Sequence, residues 1–253
     1  MDFLFTPEIG PLLFAGLSLA SFISGFIGVF TGAAGGVLLL ALMAMVVPPT
    51  VVIPVHTVVM LGTGAARTMI MWRHVMRGTL LPFVIGSVIG AALGANVFVA
   101  LPINWLQAIL GGFILLVTWM PKLGRLGAEG GRFAFLGFGA TFLGVFVSAT
   151  GTLLAPFVAS ASPNRYNHAA TLGALMLISH TAKVAAFGFI GFAIGSFVPL
   201  MVAMVLAGAL GNWLGEVALD YTSEGRFRLI LQLVLTALGL RLIWMAAPEL
   251  GLF

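Results

Sequence analysis

Fifty-eight consecutive residues, Ile9–Ala66, contain no Asp, Glu, Lys or Arg. Phe133–Asn164 and Val184–Gly215 are two further runs of 32 residues each without such a charge. A membrane-crossing helix needs about 20 apolar residues, so each run holds one or more passes. Charged residues make up 7% of the chain, against roughly 25% in a soluble domain. The expected fold class is therefore all-α, a polytopic membrane protein, with residues 1–253 forming one transmembrane domain.

The net charge of +4 is not a nucleic-acid footprint, because most cations fall in short loops between apolar segments. There is no Cys, which excludes disulfides and thiolate metal sites. The N-terminus, MDFLFTPEIG, has no basic residue ahead of its apolar stretch, so no cleaved signal peptide is expected.

A short motif occurs twice. Ser24–Leu40, SGFIGVFTGAAGGVLLL, is echoed by Thr141–Leu154, TFLGVFVSATGTLL. A shift of 116 residues lays Gly28 on Gly144, Ala33 on Ala149, Gly35 on Gly151 and Leu38 on Leu154. It also carries Arg67 onto Lys183 and Asn96 onto Asn212. The chain reads as two copies of one design, repeat one over 11–121 and repeat two over 132–247. Each copy has a glycine-rich break in an apolar run, then a single cation inside the next run.

The apolar segments are Pro11–Val47, Val51–Trp72, Thr79–Ala100, Trp105–Pro121, Arg132–Ser160, Asn167–Phe189, Phe197–Asp220 and Phe227–Ala247. Eight simple crossings split the loop cations six to three across the membrane, with Arg165, Arg226 and Arg228 outside. If Pro11–Val47 and Arg132–Ser160 instead turn at their glycines and leave on the side they entered, the split is eight to one, with only Arg241 outside. The positive-inside rule favours the second arrangement. Each repeat then holds one re-entrant, broken-helix hairpin plus three full crossings. Three is odd, so the repeats are expected to be inverted, with both termini on the outer, periplasmic side. Inverted repeats with interrupted helices are a common build of secondary transporters, which bind substrate near mid-membrane between the repeats.

The breaks supply the first site residues: Thr31, Gly32, Gly35 and Gly36 in one copy, Ser148, Thr150, Gly151 and Thr152 in the other. A half-helix starting at such a break offers free N–H groups and a positive dipole end, which suits an anion. Close packing by the glycines alone is the plainer explanation, but it does not require hydroxyls at both breaks. Arg67 and Lys183 come next. A charge at the centre of the hydrocarbon costs about 2.5–3.5 kcal/mol on insertion scales, and no acid lies nearby in sequence. Either cation snorkels to the surface or meets an anion. His180 sits one turn before Lys183 on the same helical face. His56, His180 and Glu216 are candidates for proton coupling. His168, Asn96 and Asn212 are expected to serve packing. No nucleophile–base pair, nucleotide-binding motif or metal cluster is present, so no enzyme, cofactor or metal is expected.

GFIGVFTGAAGGVLLLAL, a short Pro loop, a helix opening with His56-Thr57, a basic turn and a Gly-studded helix together resemble the sulfite exporter TauE/SafE family of membrane permeases. The likeness covers almost the whole chain. It implies transport, often outward, of a sulfur-containing or organic anion such as sulfite or a sulfonate, across the inner (plasma) membrane. The breaks at Gly28–Gly36 and Gly144–Thr152 sit where the family signature does, with Ser148 and Thr152 standing in place of glycines in the second copy. The expected partners are the anion, the lipid bilayer and protons or another coupling ion. Two other readings fit the same residues: a membrane scaffold whose cations pair with another protein's acids, and an anion channel.

Overall fold

The uncharged runs form helices because a helix satisfies its own backbone where no water can. The computed structural model describes residues 9–31, 34–119, 132–218 and 224–250. Among these residues there are ten α-helices and no strand. They are α1 (Pro11–Thr31), α2 (Ala34–Ala44), α3 (Pro49–Ile70), α4 (Leu80–Ala100), α5 (Ile103–Trp119), α6 (Arg132–Val147), α7 (Gly151–Ala161), α8 (Arg165–Phe189), α9 (Val198–Ala218) and α10 (Glu224–Ala246).

Four stretches are long and apolar enough to cross a membrane: Pro11–Gly28, Arg77–Ala100, Tyr166–Phe189 and Gly195–Gly215. Gly35–Ala44, Pro49–Ala65, Ile103–Trp119, Arg132–Val147, Gly151–Ala161 and Leu231–Ala246 are shorter apolar helices. Large apolar side chains such as Leu12, Phe135 and Phe189 point outward, 89%, 81% and 92% exposed. On a soluble protein such a surface would drive aggregation, whereas here lipid is its solvent. The chain is a multi-pass helical membrane protein.

Both expected breaks are present, but their arms are unequal. α1 has 21 residues, about 31 Å at 1.5 Å per residue, so it is as long as a full crossing. α2 has 11 residues and is a half-span. α2 doubles back on α1, where a Cβ added at Gly35 would come within 2.5 Å of both Gly28 Cα and the Ser24 carbonyl oxygen. In the second copy α6 has 16 residues and α7 has 11. α7 packs mainly on α8 rather than back along α6.

The chain divides into two compact units that do not coincide with the repeats. The first takes residues 1–59, 102–119 and 193–253, and the second 60–101 and 120–192. In the first unit α1 packs on α9, and α5 on α10. Ser21 Oγ donates to the Met204 carbonyl at 2.7 Å. Gly25 lies on the Gly208 backbone and Gly211 on that of Phe22. In the second unit α4 packs on α6 and also meets α8. Gly86 and Gly90 of α4 lie against the backbone of Ala134 and Phe138, and Gly137 against Phe83. Small residues allow this approach, which is the main source of helix association in lipid.

The two packings share one contact scheme. Ser21–Met204, Gly25–Gly208 and Phe22–Gly211 match Gly137–Phe83, Thr141–Ser87 and Phe138–Gly90. On the α1/α6 side the shift is 116, as in the sequence. On the α4/α9 side Phe83 to Met204, Ser87 to Gly208 and Gly90 to Gly211 are each 121 apart. The ungapped match of Asn96 to Asn212 is therefore not the packing register. Part of the slip arises because α8 has 25 residues where α3 has 22. Asn96 donates to the Ala92 carbonyl of its own helix at 2.8 Å.

The start of α8 is fixed by its cap. Asn164 Oδ1 accepts from the amides of Tyr166 and Asn167, both at 3.0 Å, the usual N-cap arrangement. Asn167 Nδ2 donates to the His74 carbonyl at 2.7 Å, and the Met76 amide donates to Thr171 Oγ1 at 3.0 Å. The basic turn between α3 and α4 is thereby tied to α8, the helix that carries Lys183.

Candidate functional site

The second break is built around one left-handed residue. α6 ends at Val147, and Ser148 follows with φ 53°. Its amide donates to the Gly144 carbonyl at 2.8 Å. A left-handed residue bonded back to the last full turn is a common helix stop, normally filled by Gly. The Ala149 amide then bonds to Val147 O at 2.6 Å, and the Thr150 amide to Ser148 O at 2.9 Å. α7 begins at Gly151, where an added Cβ would come 2.9 Å from Met176 Sδ of α8. The Met176 thioether thus packs directly on this glycine.

Lys183 reaches this break from α8. It is fully buried, which rules out snorkelling. Its Nζ donates to Ser148 O at 3.0 Å and to Gly144 O at 3.3 Å. Backbone carbonyls are thus a partner for Lys183 beyond the two alternatives that the sequence offered, snorkelling or an anion. Each of these carbonyls already accepts one backbone amide and offers the ammonium its second lone pair, and the end of α6 carries the negative dipole end, so an ammonium belongs there. Two of its three donors are used. Carbonyls bring no formal charge, and among the described residues no carboxylate pairs with it. A Cβ at Gly144 would collide with Thr150 Cγ2 and come 3.3 Å from Nζ. Bare backbone at Gly144 makes the room.

On the other side of the break stands the opposite pole. Gly151 and Thr152 open α7 with amides that have no intrahelical carbonyl to meet. Thr150 takes the N-cap position without a side-chain cap bond. Its hydroxyl is fully buried and has no hydrogen-bond partner. Thr152 Oγ1 donates to Ala149 O at 3.0 Å. A buried hydroxyl, open amides and a fixed cation suit an oxyanion.

Three buried hydroxyls near the break escaped the sequence reading. Thr141 Oγ1 lies 3.0 Å from both Ser87 Oγ and Ser179 Oγ, and all three are buried. They join α4, α6 and α8 one turn before Lys183. Ser179 lies four residues ahead of Lys183, which was a visible signal. Ser87 and Thr141 are far apart in sequence, and only packing brings them together. His180 is buried on α8, one turn from Lys183.

In the first unit His56 is fully buried, with Nε2 2.9 Å from the Gly36 carbonyl. A carbonyl only accepts, so that nitrogen carries the proton, and the ring braces the first turn of α2. Gly35 sits against α1 as described above. Gly32 lies outside the described residues, as do the side chains of Thr31, Arg67 and Glu216. Their backbones place Thr31 at the end of α1, Arg67 in α3 and Glu216 in α9. Among the described residues no group of acidic or imidazole side chains could hold a metal ion.

Neither the curated proteins nor the solved structures offer a match. The family described as sulfite exporter TauE/SafE matches residues 17–242. That span takes in both breaks, the buried lysine and nearly all of the helices, and so this chain belongs to the sulfite exporter TauE/SafE family, a family of membrane transporters and not of enzymes.

Proposed function

We propose that this protein is a secondary transporter that exports a small sulfur-containing or organic anion, such as sulfite or a sulfonate, from its break between α6 and α7. The observation that carries this reading is Lys183, buried beside the open start of α7 with no carboxylate partner among the described residues. The third ammonium donor, the Thr150 hydroxyl and the Gly151 and Thr152 amides complement an oxyanion. Thr31, Gly32, Gly35, Gly36 and Arg67 form the corresponding set in repeat one by sequence. Coupling runs through protons or another ion, with His56, His180 and Glu216 as the proton candidates.

An inverted relation of the repeats belongs to the same reading. The exchanged pairings, α1 with α9 and α6 with α4, support it.

Thermal-shift screening of sulfite, sulfate, thiosulfate and small sulfonates against the purified protein names the ligand class. Losing one charge-assisted hydrogen bond costs about 1.5–3 kcal/mol, roughly a 10- to 150-fold loss of affinity. Lys183→Gln should weaken binding by that order. Flux of the bound anion in liposomes separates transport from scaffolding, and dependence on an ion gradient separates a carrier from a channel. Unchanged affinity in a folded Lys183→Gln variant would remove the anion from this break.

A further inference from the structure

At the end of α6 the cation is part of the chain. The left-handed turn at Ser148 (φ 53°) brings two carbonyls to one point, and Lys183 Nζ sits 3.0 and 3.3 Å from them. Unwound carbonyls and half-helix C-terminal ends are what free Na⁺ uses in transporters with broken helices. The oxygens are hard neutral donors, the dipole end is negative, and Gly144 leaves the space open. We propose that the Lys183 ammonium is a tethered cation, filling at the end of α6 the seat that a free monovalent cation takes in cation-coupled carriers.

A tethered ion stays at high effective concentration whatever the solution holds. The wild-type break therefore needs no Na⁺ or K⁺, and any coupling ion acts elsewhere. Deleting the tether should open the seat to small cations from solution. This inference does not depend on which anion is carried, since the carbonyls hold the cation with or without it.

The test compares wild type, Lys183→Ala and Lys183→Gln, purified in detergent, by thermal unfolding read from the five tryptophans. Each is heated in choline chloride and, at equal ionic strength, in NaCl, KCl or ethylammonium chloride. Choline is too large for the seat and has no N–H. Wild type should melt at one temperature in all four salts. Lys183→Ala should melt lower in choline and recover, saturably, on the order of 5 °C in at least one small cation, as ligand linkage requires. Lys183→Gln should melt lower in every salt, because its amide fills the space without the charge. A Lys183→Ala variant that folds but responds alike to all four salts overturns the proposal. If Lys183→Ala does not fold in any salt, Lys183→Gln decides. Wild-type stability there means that a donor suffices and overturns the tethered cation, whereas a loss in all salts upholds it.

Discussion

Ser148 and Lys183 form one unit at the residue scale. A non-glycine residue in the left-handed region costs roughly 1–2 kcal/mol, and here the helix stop and the lysine contact hold it. The sequence shift lays Ser148 on Gly32, the residue type that normally fills such a stop. Ser148→Gly should be tolerated, because relief of strain and added chain entropy offset each other. Ser148→Val should lower Tm by several degrees, since a β-branched residue fits the left-handed region worst. Differential scanning fluorimetry of the two variants decides it, and a Val variant as stable as Ser would mean that the turn does not require this conformation. Gly144→Ala should cost more, because its Cβ meets Thr150 and crowds the ammonium. Its Tm in the same scan should fall below that of wild type, and an unchanged value would mean that Thr150 and Lys183 can yield.

At the scale of elements, glycines set how closely helices lie. A Cβ at Gly90 of α4 would strike the Phe138 carbonyl, whereas one at Gly112 of α5 would meet nothing within 4 Å. Gly90→Leu should abolish a monodisperse peak in size-exclusion chromatography, and Gly112→Leu should leave it intact. Equal behaviour of the two would show that the α4–α6 contact does not hold the second unit. Gly35→Leu tests the α1–α2 hairpin, where Gly28 and the Ser24 carbonyl stand in the way. It should eliminate transport while insertion persists, read as flux against membrane-fraction yield.

For the whole molecule, the prediction concerns orientation. From the eight-to-one cation split we propose Arg165 inside, the Ile190 loop outside and both termini outside. The chain has no Cys, so single cysteines report cleanly. Arg165→Cys should be labelled by an impermeant reagent only from the inner side, and Ile190→Cys only from the outer side. The reverse result for either would reject the inverted arrangement.

Hydrophobicity alone determined the class, because long uncharged runs have no stable state in water and lack the apolar–polar alternation of a barrel strand, which leaves helices as the way to span. The doubled glycine motif located both breaks, since a break at membrane depth needs residues that leave the helix readily. The motif also marked Lys183 as exceptional, a lone charge in an apolar run. Tertiary structure decided the rest. The hydroxyl chain of Ser87, Thr141 and Ser179 joins three helices through separations that no local pattern encodes. The five-residue slip between α4 and α9 follows from how glycines interlock across helices, which an ungapped alignment cannot register. What Lys183 touches was set by the left-handed turn at Ser148, because only that turn brings two carbonyls to its ammonium. A charge in sequence calls for compensation, and the fold chooses the atoms that supply it.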